Sequence, residues 1–84
     1  MIDIKGKTAL ITGSSRGVGQ QIALGLADLG CNIIVHGSKR TSNDETLKLL
    51  NSYSVKTYSV YGNLADDQEI ENLIDNIVNH LRKF

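Results

Sequence analysis

Three short stretches of the chain are continuously apolar or rich in β-branched and aromatic residues, and helical spacing takes over between them. They are residues 8–11, 32–36 and 55–61. Runs of this length are typical of strands, and unbroken apolar runs are typical of a parallel sheet that is covered on both faces. The pattern therefore predicts three strands.

The segments after these strands have the spacing of amphipathic helices. The first helix is predicted from Gly17 to a C-terminal cap at Gly30. The second follows Ser42 and Glu45, which have the spacing of a capping box, and the third is capped by Asp66. The apolar positions of the three helices are Val18, Ile22, Leu26 and Leu29, then Leu47, Leu50 and Tyr53, then Ile70, Leu73, Ile74, Ile77, Val78 and Leu81.

Alternating strands and helices predict an α/β fold with a parallel three-stranded sheet. Right-handed crossovers give the strand order 3-2-1 and place helices on both faces of the sheet. This arrangement is one half of a Rossmann-like, doubly wound fold, which would be incomplete in this chain. Residues 1–84 are accordingly predicted to be one domain, the N-terminal βαβαβα half of a dinucleotide-binding domain.

Composition narrows the classes of protein and of partner. The chain has 84 residues, enough for one small domain. Nine basic residues balance nine acidic ones, so nothing favours a nucleic-acid or membrane-surface partner. The one cysteine, Cys31, has no partner for an internal disulfide and is expected to be a small buried side chain. No apolar run has the length of a membrane span, and we expect a soluble cytoplasmic protein.

The candidate chemistry lies between the first strand and the first helix. Residues 12–19 read Thr-Gly-Ser-Ser-Arg-Gly-Val-Gly. Gly13 permits a sharp turn, Gly17 permits close backbone approach to a ligand, and Gly19 allows the helix to lie against the strand. Backbone N–H groups and the helix dipole at such a turn favour a diphosphate, and the Ser14 and Ser15 hydroxyls can donate hydrogen bonds to it. The alternative is a glycine-rich turn in an α/β protein that binds no nucleotide.

This motif, Gly-x-x-x-Gly-x-Gly after threonine, resembles the N-terminal signature of the short-chain dehydrogenase/reductase family. The likeness covers nearly the whole chain and is greatest to the 3-oxoacyl-acyl-carrier-protein reductase branch. It implies carbonyl reduction with NADP(H), in fatty acid biosynthesis for that branch. It also implies that Asn63 and Leu64, where the family often has Asp-Val, contact the adenine ring.

The end of the second strand decides between NADP(H) and NAD. Enzymes that choose NAD place a carboxylate there, and residues 35–40 contain none. Arg16, Lys39 and Arg40 are positioned to surround a 2′-phosphate instead. His36 is interpreted as the end of a strand rather than as a ring that stacks on adenine. The predicted cofactor-binding residues are Gly13, Ser14, Ser15, Arg16, Gly17, Val18, Gly19, Ser38, Lys39, Arg40, Asn63 and Leu64.

The catalytic residues implied by the resemblance are a serine, a tyrosine and a lysine four residues after the tyrosine. Tyr53 is followed by Lys56 one position too early, and neither Tyr58 nor Tyr61 has a lysine at that spacing. We therefore predict no catalytic residue within these 84 residues and expect the chain to be the inactive first part of a longer reductase. Two alternatives remain open: a non-catalytic dinucleotide-binding or regulatory module, and a structural α/β subunit without nucleotide.

The incomplete sheet predicts an exposed surface. The first strand would lie at the centre of the complete fold but lies at an edge here, with backbone groups unpaired on one side. The apolar stripe of the third helix would also have little to cover it. We expect these two elements to mediate self-association or to bind the C-terminal part of a longer protein.

Overall fold

The computed structural model describes residues 5–39 and 41–81, with side chains described as far as Asn79. Strands and helices alternate along the chain as predicted. The elements are β1 (Thr8–Ile11), α1 (Gly17–Asp28), β2 (Asn32–Gly37), α2 (Asp44–Leu50), β3 (Thr57–Tyr61) and α3 (Asp67–Leu81). No helix in this described part is long and apolar enough to cross a membrane.

The three strands form one parallel sheet in the order β1-β2-β3. Thr8 pairs with Asn32 at the start of the β1–β2 ladder, and Ile33 pairs with Thr57 at the start of the β2–β3 ladder. Parallel pairing brings the carboxyl ends of all three strands to one edge of the sheet. The predicted strand order is confirmed.

One face of the sheet packs against α1 and α2. Ile33 and Val35 of β2 point to this face and contact Ala23 and Ala27 of α1 and Leu50 of α2, all of them buried. Because alanine side chains are small, α1 can lie close to the sheet. Burial of each larger apolar side chain in this cluster stabilises the fold by about 1.5–3 kcal/mol. This is the larger of the two apolar clusters in the described chain.

The opposite face is covered by α3. Ile34 and Val60, which alternate with the residues of the first cluster, pack against Leu73. Helices therefore lie on both faces, as predicted. The cover by α3 is incomplete, because Ile74 and Val78 of the same apolar stripe are 53% and 41% exposed.

The edge position of β1 also agrees with the sequence. Within the described sheet, β1 is paired on one side, with β2, and its Leu10 is 42% exposed. The apolar surface that the sequence predicts is therefore present. Association through it stays a prediction.

Cys31 is buried at the start of β2, in the first cluster. Burial raises the pKa of its thiol, against a smaller lowering by the Ala9 backbone. The sequence-based interpretation of a small packing side chain agrees with this environment.

Helix caps differ from the predictions in one case and agree in another. The predicted capping box of Ser42 and Glu45 is wrong: the N-cap of α2 is Asn43, and the Ser42 hydroxyl accepts a hydrogen bond from the Lys39 N–H at 3.1 Å. For α3 the prediction holds, because Asp66 Oδ1 accepts hydrogen bonds from the N–H groups of Gln68 and Glu69.

The bounds of α2 and β3 also differ slightly from the sequence-based prediction. Tyr53 lies beyond α2, which ends at Leu50, and β3 begins at Thr57.

Asn43 holds three strand positions together. Its Nδ2 donates hydrogen bonds to the carbonyl oxygens of Val35 and Val60 at 3.2 and 2.9 Å and contacts the Ser59 hydroxyl at 2.7 Å. The side chain is fully buried, although Ser42 rather than Asn43 has the sequence spacing of a cap. It fixes the start of α2 against the ends of β2 and β3.

We predict that Asn43→Ala lowers the free energy of unfolding by about 2–4 kcal/mol, because buried polar groups lose their partners. Urea denaturation followed by circular dichroism measures this. Asn76→Ala, at an exposed position of α3, is the matched control and should change stability by less than about 0.5 kcal/mol. Equal effects of the two substitutions would contradict the structural role of Asn43.

Candidate functional site

The carboxyl ends of the three strands surround a cavity of about 450 Å³. In open parallel sheets this is the edge where ligands bind, because loops from several strands converge there. The turn after β1, the end of β2 and the turn after β3 each contribute to the lining. The lining residues are Thr12, Gly13, Ser15, Arg16, His36, Gly37, Ser38, Gly62, Asn63 and Leu64.

Two glycines shape the turn on one side of this cavity. Gly13 and Gly17 both have φ of +63°, a backbone conformation that glycine adopts without steric cost. A Cβ built on either residue would meet nothing within 4 Å. Glycine is therefore required there by the backbone conformation, and the space in front of the turn is open to a ligand.

Gly19 has a different role. A Cβ at this position would overlap the Gly13 carbonyl oxygen and would lie 2.9 Å from the Gly13 carbonyl carbon. The start of α1 thus rests directly on the turn, as the sequence predicts. Close contact between α1 and the end of β1 requires hydrogen as the side chain at this one position.

The N-terminus of α1 is open to an anion. Its N-cap, Arg16, has an extended backbone and makes no side-chain cap hydrogen bond, and the described first turn holds no acidic residue. The first N–H groups of a helix lack partners within the helix and carry partial positive charge. A diphosphate would satisfy them.

Ser14 is occupied inside the turn. It is fully buried, and its hydroxyl donates to the Ile11 carbonyl oxygen at 2.6 Å and accepts from the His36 N–H at 2.9 Å. Its predicted hydrogen bond to a phosphate would break this arrangement. Ser15, which is half-buried and lines the cavity, is the hydroxyl placed to donate there.

Asn63 and Leu64 lie at the far side of the cavity, after β3. The Asn63 N–H donates to Glu69 Oε1 at 3.1 Å, and Asn63 Oδ1 accepts from the Ala65 N–H at 2.9 Å. An amide oxygen has a second lone pair, so Asn63 can still accept a hydrogen bond from an amino group. Leu64 is 49% exposed and offers an apolar surface to a flat ring.

A second cavity, of about 350 Å³, shares Ser15, Arg16 and Ser38 with the first. Lys39 and Ser42 complete it together with Glu45 of α2. The structure thus brings Arg16 and Lys39 to the same cavity, as predicted, but also adds a carboxylate. Arg40 was predicted to join them and lies outside the described residues.

Of the remaining predicted site residues, Gly17, Val18 and Gly19 belong to the first turn of α1, and Val18 is 76% exposed.

Sequence reasoning missed the contributions of His36, Gly62 and Glu45. His36 is buried and bonded at both ring nitrogens, and Gly62 accepts one of those bonds. A polar residue at the end of an otherwise apolar strand was the available signal for His36. Glu45 is distant from the motif in sequence and had no such signal.

Comparison with known proteins identifies the group to which this geometry belongs. Residues 7–84 match the family described as short chain dehydrogenase. The chain belongs to the short-chain dehydrogenase family. The fold and the resemblance drawn from the glycine motif are therefore confirmed.

Individual relatives agree with this assignment. The chain is 46% identical over 70 residues to L-rhamnose 1-dehydrogenase (NADP(+)) of Thermoplasma acidophilum. The aligned region covers 82% of this chain and 28% of that protein. It is 45% identical over 80 residues to the 3-oxoacyl-(acyl-carrier-protein) reductase FabG of Rickettsia typhi, spanning 94% of this chain and 32% of that protein.

A solved structure gives the same result. The crystal structure of 3-oxoacyl (acyl-carrier-protein) reductase from Agrobacterium tumefaciens C58 with NADP bound superposes with a TM-score of 0.81 at 34% identity, covering 90% of this chain and 30% of that one. The chain thus spans about 30% of the length of the short-chain dehydrogenases it matches.

We predict that Gly19→Ala lowers stability by about 1–3 kcal/mol, because the added methyl group overlaps the Gly13 carbonyl. Thermal unfolding measures the effect. Gly25→Ala is the matched control: it lies in the same helix, has open space for a Cβ, and should raise stability by about 0.5–1 kcal/mol. If Gly19→Ala were also stabilising, the close contact of α1 with the turn would be contradicted.

Proposed function

We propose that this chain is the NADP(H)-binding part of a short-chain carbonyl reductase. The observation that carries the proposal is the cavity at the carboxyl ends of β1, β2 and β3, into which an open glycine turn and an uncapped helix N-terminus face. Family membership and the NADP-bound reductase of similar fold support it.

The residues present fit the diphosphate and the adenine end of a dinucleotide. The open turn at Gly13 and Gly17 and the first N–H groups of α1 suit a diphosphate, which needs several donors and close backbone approach. Ser15 adds a hydroxyl donor. Asn63 and Leu64 offer an acceptor and an apolar surface to an adenine ring at the other side of the cavity.

Charge in the second cavity favours the phosphorylated cofactor. Two cations, Arg16 and Lys39, lie there with one carboxylate, Glu45, and three serines can donate hydrogen bonds. Arginine binds phosphate through paired, charge-assisted hydrogen bonds, which makes Arg16 the main candidate for the 2′-phosphate. Glu45 opposes this preference, so selectivity for NADP(H) over NAD(H) depends on the balance of these side chains.

When bound, NADPH supplies a hydride to a substrate carbonyl. The residues of this chain bind and orient the cofactor, and the segment that activates the carbonyl is proposed to lie beyond these 84 residues. The substrate we propose is a 3-oxoacyl group on an acyl-carrier thioester, because 3-oxoacyl-(acyl-carrier-protein) reductases recur among the relatives and solved structures that this chain matches.

We predict that Arg16→Glu weakens NADPH binding by about tenfold to a hundredfold, because it removes a charge-assisted hydrogen bond and adds a like charge. NADH, which lacks the 2′-phosphate, should be affected by less than about threefold on the same reasoning. Titration of the chain with each nucleotide, followed by the fluorescence of the reduced nicotinamide, measures both affinities.

Two further variants control this experiment. Glu45→Gln is the opposite change of charge in the same cavity and should raise the preference for NADPH. Gly13→Val forces a branched side chain onto a backbone with positive φ and should abolish binding of both nucleotides. Equal losses of NADPH and NADH in Arg16→Glu would contradict the role of Arg16, and no binding by the unaltered chain would contradict the proposed function.

A further inference from the structure

His36 is the one buried titratable side chain among the described residues that line the cavity. It is 4% exposed, and both of its ring nitrogens make hydrogen bonds to the backbone. Nδ1 lies 3.1 Å from the Gly13 nitrogen, and Nε2 lies 3.1 Å from the Gly62 carbonyl oxygen.

The two backbone partners fix the protonation state of the ring. The Gly13 N–H can only donate, so Nδ1 must accept and carries no proton. The Gly62 carbonyl can only accept, so Nε2 must carry a proton and donate. His36 is therefore the neutral Nε2–H tautomer in this geometry.

The ring connects opposite sides of the candidate site. Gly13 is the first glycine of the turn after β1, and Gly62 precedes Asn63 and Leu64 in the turn after β3. The β2 backbone at His36 adds to this connection, because its N–H donates to the Ser14 hydroxyl and its carbonyl accepts from the Ser14 N–H at 2.9 Å. One residue thus sets the distance between the proposed diphosphate and adenine ends of the cavity.

We propose that His36 is a positioning residue for nucleotide binding, which holds the turn at Gly13 and the turn at Gly62 in register through the two hydrogen bonds of its ring. This inference rests on the proposed function and adds to it a dependence of nucleotide affinity on one buried side chain of the cavity wall.

The tautomer is measured directly by NMR of the 15N-labelled chain at about pH 8, using long-range coupling between the ring protons and nitrogens. A single Nε2–H form of His36 is expected. An Nδ1–H form, or a mixture of the two tautomers, would overturn the inference without any variant having to fold.

Two substitutions separate the hydrogen bonds from the bulk of the ring. His36→Leu fills similar space but leaves the Gly13 N–H and the Gly62 carbonyl without partners, and should weaken NADPH binding by about tenfold or more. His36→Asn places an acceptor near the position of Nδ1 that cannot titrate, and should restore affinity to within about threefold of the unaltered chain. Binding by His36→Leu equal to that of the unaltered chain would overturn the positioning role.

The rescue by His36→Asn separates this role from a merely structural one. If His36→Asn lost as much NADPH affinity as His36→Leu, the hydrogen bonds of the ring would not carry the effect and the positioning role would be overturned. His80→Asn, which removes the other histidine of the sequence, is the control and should bind NADPH as the unaltered chain does.

The outcomes distinguish this inference from the proposed function. Normal NADPH binding by the unaltered chain and equal binding by His36→Leu overturn the role of His36 alone. Absence of NADPH binding by the unaltered chain contradicts the proposed function and the positioning role together, and the NMR result then reports whether the hydrogen-bonded bridge itself exists.

Discussion

The contact between Gly19 and the Gly13 carbonyl group constrains much of this structure. With no side chain at residue 19, α1 begins directly on the turn that ends β1. That placement leaves the first N–H groups of the helix without a side-chain cap next to an open cavity. It also sets the height of Ala23 and Ala27 over the sheet, where they contact β2. A local steric condition therefore determines both the packing of the first βαβ unit and the anion-binding character of its edge.

Buried polar side chains of α1 and α2 form hydrogen bonds that hold the turn after β1 and the carboxyl ends of the strands in place. Thr46 donates to the Ser14 carbonyl at 2.8 Å, and Gln20 donates to the Thr46 hydroxyl at 3.1 Å, so α2 and α1 both hold the turn. Asn43 connects the start of α2 to the ends of β2 and β3. Because buried polar groups are costly when unpaired, these bonds favour one arrangement of the three strand ends. Gly37 lies against these side chains, since a Cβ there would lie 2.6 Å from Asn43 Oδ1.

Much of the fold follows from the sequence because its signals are local and repetitive. The helical stripe of α3, the apolar run of β2 and the alternation of elements predict the sheet, its strand order and the helices on both faces. The errors occur where polar side chains choose between neighbouring partners. Ser42 has the spacing of a cap, yet Asn43 takes that position because it can reach three hydrogen-bonding groups on β2 and β3.

The glycine turn was predictable because its spacing and its position between strand and helix reflect steric requirements. Ser14 was predicted as a ligand donor, whereas its hydroxyl is used within the turn. The buried bridge of His36 depends on residues 23 and 26 positions away, and the placement of Glu45 depends on how α2 docks. Contacts of this kind arise from tertiary packing and have no signature in the local sequence.

The central claim is that the cavity at the three strand ends binds an NADP(H)-type dinucleotide. The most direct measurement is a titration of the 15N-labelled chain with NADPH, in which each backbone amide resonance is followed separately. We expect the amides of Gly13, Ser15, Ser38 and Asn63 to shift together with one affinity, while those of the exposed side of α3 at Ile74 and Val78 stay unchanged. Shifts confined to α3, or no shift at the strand ends at saturating NADPH, would contradict the account.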